Sequence, residues 1–209
     1  MTAEHKVDLS PIVTIMEQRL AEKGVGPEGL YWRDEETMNR RFDQILAVCR
    51  DEKQDFGFSD LGCGYGALYT RARQLGLPVR RYLGYDVSSK MLEAAQQRVD
   101  CEDAAFIQAD RLDRQNDYAF ACGIINMPTP GADEAQWTRH VESIVRNLND
   151  HSNRGFAFNS LTTYVDYRQD GLYYGDPLHY FDFCKKHVAR KVSLLHDADN
   201  WEWTIFVRK

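Results

Sequence analysis

The chain has 209 residues, 43% hydrophobic and 28% charged, enough apolar material for the core of one ordinary domain. Lys and Arg number 26 against 32 Asp and Glu, a net charge of −6, so no general electrostatic footprint for a phosphate backbone exists and nucleic acid is not an expected partner. No 18 apolar residues run together and MTAEHKVDLSP lacks a signal-type apolar run, so the expectation is a soluble, cytoplasmic chain with no membrane partner.

Ser10 before Pro11 predicts a capped helix, with Ile12, Ile15, Met16 and Leu20 at helical spacing until Gly24. A second helix is expected over 34–50, with Met38, Phe42, Ile45, Leu46 and Cys49 on one face. FGFSDL (56–61) reads as the first strand, ALYTRARQL (67–75) as the helix after it, and RRYLGYD (80–86) as the second strand. Ser88 caps a helix through Met91, Leu92, Ala95 and Val99, and AAFIQAD (104–110) follows as a third strand. The near-continuous apolar run DYAFACGIIN (117–126) predicts a central strand covered on both faces. A helix over 133–148, a fifth strand over 155–161 and a helix over 176–187 come next. KVSLLHD (191–197) and WEWTIFVRK (201–209) are joined by a turn too short for a parallel crossover and should form an antiparallel hairpin. The pattern is α/β, in a single domain over 1–209.

Five cysteines never spaced as CxxC and six histidines without an HxxxH or HExxH pair point to reduced thiols and give no metal site local support. The informative stretch is SDLGCGYGAL (59–68). Glycine is kept at such density where φ must be positive or a ligand must meet bare backbone. Gly62, Gly64 and Ala67 satisfy GxGxxA, the dinucleotide form, so a nicotinamide or flavin cofactor is one reading. With Asp60 and Gly66 the stretch also reads DxGxGxG, and a carboxylate there favours a cationic or zwitterionic ligand over a pyrophosphate. Asp86 lies 86 − 66 = 20 residues past the last glycine, where an acid meets ribose hydroxyls, and suits both readings.

DLGCGYG (60–66), Asp86 and Asp110 at the ends of the second and third strands, and ACGIIN (121–126) ending the fourth occur in register. Together with the terminal hairpin they make residues 35–209 resemble the class I S-adenosylmethionine-dependent methyltransferases. The resemblance implies a Rossmann-like, doubly wound, seven-stranded sheet in the order 3-2-1-4-5-7-6 with the seventh strand antiparallel, preceded by two helices. It implies S-adenosyl-L-methionine as cofactor and S-adenosyl-L-homocysteine as product. On its pattern Gly62, Cys63, Gly64 and Gly66 hold the methionine portion and Asp60 faces its amino group. Asp86 takes the ribose and Asp110, with Arg111 beside it, the adenine amino group. Val87 and Met91 wall the adenine, and the backbone of Cys122 and Gly123 lines the methionine arm. Residues 1–50 become an N-terminal helical lid over a core sheet at 55–209, with Tyr31, Trp32 and Arg33 as lid or substrate contacts.

On the acceptor side, ligands of an open α/β sheet lie outside the carboxyl ends of the strands. That selects Asn126, leaving the fourth strand, and Tyr164, leaving the fifth, as candidates to orient an acceptor, with Tyr173 and Tyr174 in the tyrosine-rich segment 162–180. His179 is the expected base, needed only when the acceptor arrives protonated. The expected function is methyl transfer to an oxygen or nitrogen of a small-molecule acceptor. A protein or peptide methyltransferase and a non-catalytic subunit binding S-adenosyl compounds are the alternatives. NMPT (126–129) stands where amine-methylating nucleic-acid and protein enzymes often carry N/DPPY.

Overall fold

In the computed structural model, which describes residues 7–197 and 201–209, helix α1 (Ser10–Lys23) starts one residue earlier than its sequence cap suggests. Leu9 is the cap, Ser10 is helical, and the Ser10 amide donates to Asp8 Oδ1 at 2.9 Å. Asp8 therefore does the work expected of Ser10, and Gly24, at φ +71°, ends the helix as expected. After a 3-10 turn (Pro27–Leu30), Asp34 caps α2 (Glu35–Ile45) by accepting from the Thr37 amide at 2.7 Å. Met38, Phe42 and Ile45 are buried along one face of α2, and a 3-10 turn over Leu46–Val48 finishes the segment expected to be helical to residue 50.

The sheet is built from β1 (Phe56–Leu61), β2 (Val79–Asp86), β3 (Asp103–Gln108), β4 (Asn116–Ala121), β5 (Ser152–Thr162), β6 (Tyr174–Gly175), β7 (Lys191–Leu195) and β8 (Glu202–Arg208). Its order is β3-β2-β1-β4-β5-β8-β7. The strands β1 to β5 pair in parallel and β8 runs antiparallel to both β5 and β7. This is the expected Rossmann-like order, with the two-residue β6 added in parallel against Leu161 and Thr162 of β5. The turn residues 198–200 and residues 1–6 of the expected domain lie outside the described residues.

Two apolar layers cover the sheet. One holds α5 (Glu134–Asp150) and α6 (Pro177–His187) and includes Trp137, Val141, Tyr180 and Trp203. The other holds α2 and α3 (Ala67–Gln74), with Leu92 from α4 (Ser89–Arg98), around Phe58, Tyr82 and Phe120. Every residue of β1, and of β8 up to Val207, is buried, as strands covered on both faces require.

Strand β4 ends at Ala121, five residues short of the expected run. The chain breaks away because Gly123 has φ +76°, and the next carbonyls are held from outside the sheet. Trp137 Nε1 donates to the Ile125 carbonyl at 2.9 Å and the Tyr173 amide to that of Asn126 at 2.9 Å. Similarly β3 stops at Gln108, so Asp110 stands in the loop beyond it. Both shortenings open space over the carboxyl edge of the sheet.

Candidate active site

Gly62, Gly64 and Gly66 all have positive φ, at +74°, +52° and +80°. The amides of Gly62 and Cys63 donate to the Tyr85 carbonyl at 2.7 and 2.9 Å, tying the loop after β1 to the end of β2. Space decides what each glycine does. A Cβ on Gly66 would stand 2.5 Å from Val99 Cγ2 and one on Gly62 2.1 Å from Ile124 Cγ2, so these two also permit close packing.

Asp86 organises the turn. Its Oδ2 accepts from the Gly64 amide and its Oδ1 from the Ser88 amide, both at 2.9 Å. Each oxygen keeps a further lone pair. Burial raises its affinity for a proton, while those backbone donors oppose the rise. Asp60 is placed otherwise: it is 2% exposed, lies beneath the loop, and accepts from the Tyr82 hydroxyl at 3.0 Å. Burial, with the nearby Asp86 charge, pushes its carboxyl up to about 7 against the pull of Tyr82. Asp60 was expected to face a ligand amino group directly or through water; its side chain lies inside the packed layer, on Tyr82, and outside the cavity lining. Cys63 is buried beside it, its sulfur 3.0 Å from where a Cβ on Gly84 would lie.

A cavity of about 320 Å³ lies across the carboxyl edge of the sheet. Val87, Met91, Asp110, His140 and Ile144 line it, as do Gly62, Gly64, Asp86, Cys122, Gly123, Arg41 and Glu202. Asn126, Met127, Leu161 and Leu172 form the far wall. Leu9, Ile12 and Met16 of α1, with Leu30, Tyr31 and Trp32, make the roof. The roof is tied down at two points. Glu17 accepts from Ser88 Oγ and pairs with Lys90, each at 3.0 Å, and Thr129 Oγ1 donates to the Asp8 carbonyl at 2.8 Å. A shallower hollow of about 630 Å³, between the start of α1 and the ends of β2 and β3, shares Leu9, Val87, Ala109 and Asp110 with the cavity.

Several residues expected at the acceptor side are elsewhere. His179 lies outside the cavity lining: Tyr180, Phe183 and Cys184 turn inward from α6, which leaves His179 half exposed, 3.0 Å from Glu142 Oε1 of α5. Tyr164 is 61% exposed, its ring 5.7 Å from that of His196, and it lines no part of the cavity. Tyr173 is buried for packing, its hydroxyl 2.6 Å from that of Tyr180 and 3.1 Å from Thr138 Oγ1. The Tyr174 hydroxyl accepts from the Gln169 amide at 2.8 Å. The neighbouring Leu172 reaches the cavity instead. Arg33 is exposed, pairs with Asp34 at 2.7 Å and lies outside the cavity lining. Arg111 is exposed beside the cavity, and Asn126 lines it with its Oδ1 already accepting from the Leu161 amide at 2.8 Å.

Three polar side chains of the wall were not anticipated: His140, Arg41 and Glu202. Burial and the Arg111 charge lower the pKa of His140 against Asp110, leaving the ring neutral at pH 7. Arg41 of α2 stacks its guanidinium 4.6 Å from the Trp32 ring and places Nε 2.7 Å from Glu202 Oε1. Asn159 joins this pair to the strand ends, donating to Glu202 Oε2 at 3.0 Å while its Oδ1 accepts from the Gly123 amide at 2.8 Å. The one signal in the sequence was an acid at the head of the otherwise apolar WEWTIFV.

A family model described as a methyltransferase domain matches residues 58–151. The chain is 45% identical over 157 residues to a Mycobacterium tuberculosis (strain ATCC 25618 / H37Rv) protein provisionally named methyltransferase Rv1506c, covering 74% of this chain and 93% of that one. Among solved structures, magnesium protoporphyrin IX methyltransferase (ChlM) from Synechocystis PCC 6803 with bound SAM aligns at TM-score 0.63 and 15% identity over 97% of both chains. The small RNA methyltransferase HEN1 aligns at TM-score 0.60 and 14% identity, over 82% of this chain and 26% of that one. At these identities the two structures speak for the fold.

Proposed function

Because this chain belongs to the class I S-adenosylmethionine-dependent methyltransferases, we propose that it methylates an oxygen or nitrogen of a small-molecule metabolite held in the roofed cavity. S-adenosylmethionine is its methyl donor, and when bound it supplies an electrophilic methyl group on a sulfonium. The observation that carries the acceptor class is the roof. A cavity of about 320 Å³ walled on one side by α1 and by Leu30–Trp32 has the size of a small-ligand pocket.

The chain's residues fit the donor. Gly64 presents bare backbone to the cavity, Asp86 keeps a lone pair on each oxygen for ribose hydroxyls, and Val87, Met91 and Ile144 form an apolar slot beside Asp110 for the adenine. On this reading catalysis is positioning plus exclusion of water. Holding two reactants in line supplies about 7–11 kcal/mol in favourable cases. The far wall of Met127, Leu161 and Leu172 suits an acceptor with an apolar body, and the side-chain amide of Asn126, locked by Leu161, orients its polar atom.

The test is incubation with a labelled methyl donor and three separated pools: ultrafiltered metabolites, protein and RNA. Label entering the metabolite pool is the expected result. Label confined to protein or RNA would overturn the acceptor class while leaving the enzyme class intact.

A further inference from the structure

Buried ion pairs seldom add net stability, because desolvating two charges costs about what their attraction returns. Arg41 and Glu202 nevertheless form such a pair in the wall of a largely apolar cavity, with side chains 12% and 3% exposed. Their geometry is incomplete as a structural bridge. The buried Arg41 Nε–H is aligned on no acceptor, although Glu202 Oε1 is 2.7 Å away, while Nη1 donates to the Thr37 carbonyl at 3.0 Å. The pair is therefore held for charge more than for directed hydrogen bonds.

Its position is specific. Through Asn159 it is fixed to the Gly123 amide, and Trp32, which stacks on Arg41, lies so close to Gly123 that a Cβ there would stand 2.6 Å from the indole. Gly62, Gly64 and Cys122 line the same cavity. A neutral pair of fixed opposite charges is complementary to a zwitterion: the guanidinium receives a carboxylate and the carboxylate an ammonium group. Asp60, the acid of the glycine loop, is sunk beneath the wall on Tyr82, and Asp86 already holds the Gly64 and Ser88 amides, which leaves Glu202 as the lining carboxylate that is paired with a guanidinium.

We propose that Arg41 and Glu202, brought from α2 and β8, form the clamp for the α-amino and α-carboxylate groups of the methyl donor, a role taken away from the glycine-loop acid Asp60. The inference rests on the cavity being the donor site. It gives the N-terminal segment a direct hand in donor binding, since Arg41 and its stacking partner Trp32 both precede the first strand.

The experiment is calorimetric titration with two probes, S-adenosylhomocysteine and 5′-methylthioadenosine, which keeps the adenosine and lacks the amino-acid end. Wild type should bind S-adenosylhomocysteine much the more tightly. In R41M/E202Q, which removes both charges and leaves neither buried alone, S-adenosylhomocysteine affinity should fall roughly 10- to 100-fold, as for lost bonds between charged groups. Its 5′-methylthioadenosine affinity should stay within about threefold, the scatter expected of an untouched site. Unchanged S-adenosylhomocysteine affinity in that variant overturns the clamp. Should R41M/E202Q lose both probes, the isosteric E202Q decides by the same ratio of affinities: a ratio equal to wild type overturns the proposal and a reduced one upholds it. Failure of wild type to bind either probe would instead sink the cavity as the donor site.

Discussion

Asp60 accepts a single side-chain hydrogen bond, from Tyr82, in a fully packed layer. Its carboxyl sits near 7 in the folded chain against 3.8 as its ordinary value, mainly through burial. Between about pH 4 and 7 the folded state therefore binds more protons than the unfolded one, so this residue makes stability fall as pH rises through that window. Replacing Asp60 by Asn keeps an acceptor for Tyr82 and removes the titration. D60N should gain on wild type between pH 4.5 and 8 by a few kcal/mol, given about 1.4 kcal/mol per tenfold change in proton affinity. Parallel urea-unfolding profiles for the two proteins at both pH values would refute this. The same residue marks how far the sequence could be read. The order of Asp60, Asp86 and Asp110 was legible from motif spacing, whereas strand alternation of Asp60 into a buried layer was not, since both faces of β1 are apolar. Glu202 was hidden for the opposite reason: its partners Arg41 and Asn159 are 161 and 43 positions away.

Among the helices, α1 is the one with no fully buried residue. Its polar ties are Glu17 with the buried Ser88 and with Lys90, Arg19 and Lys23 with Glu28, and the preceding Asp8 carbonyl accepting from Thr129. Segments with few buried contacts open well below the global unfolding energy. Amides of residues 13–23 should exchange far faster than those of α5, with S-adenosylhomocysteine slowing them. The Glu17–Lys90 pair contributes about 0.2–1 kcal/mol and the Ser88 hydrogen bond about 1 kcal/mol more, so E17A should speed that exchange by roughly 5- to 30-fold. Protection of α1 equal to that of α5 would rule out a lid. The periodicity of Ile12 and Met16 announced the helix, and it pointed their side chains at a ligand-sized gap without saying so. For α6 the sequence specified a helix but not its facing neighbour, and the contact with α5 decided that His179 meets Glu142.

For the whole molecule, a ligand that binds only the folded state stabilises it by mass action, by about 2.7 kcal/mol at 100 times its Kd. A chain of 209 residues should then show a rise in Tm of about 5–10 °C with S-adenosylhomocysteine, and NADH at equal concentration should give none. A comparable rise with NADH would revive the dinucleotide reading of the glycine loop. Strand order was readable at this scale because a short turn forces β7 and β8 into a hairpin, and a hairpin beside β5 admits few arrangements. The crossing of β8 between β5 and β7 has a further consequence, in the order of synthesis. Strand β8 is made after β7 yet lies inside it, between β5 and β7, and it carries Glu202 and Trp203 into the sheet. Strands β1 to β5 can pair while the chain is still growing, but the edge of β5 stays uncovered and the cavity lacks a wall until translation of residues 202–208 is complete. A nascent chain stalled short of that point should attract chaperones through that open edge and should hold no donor.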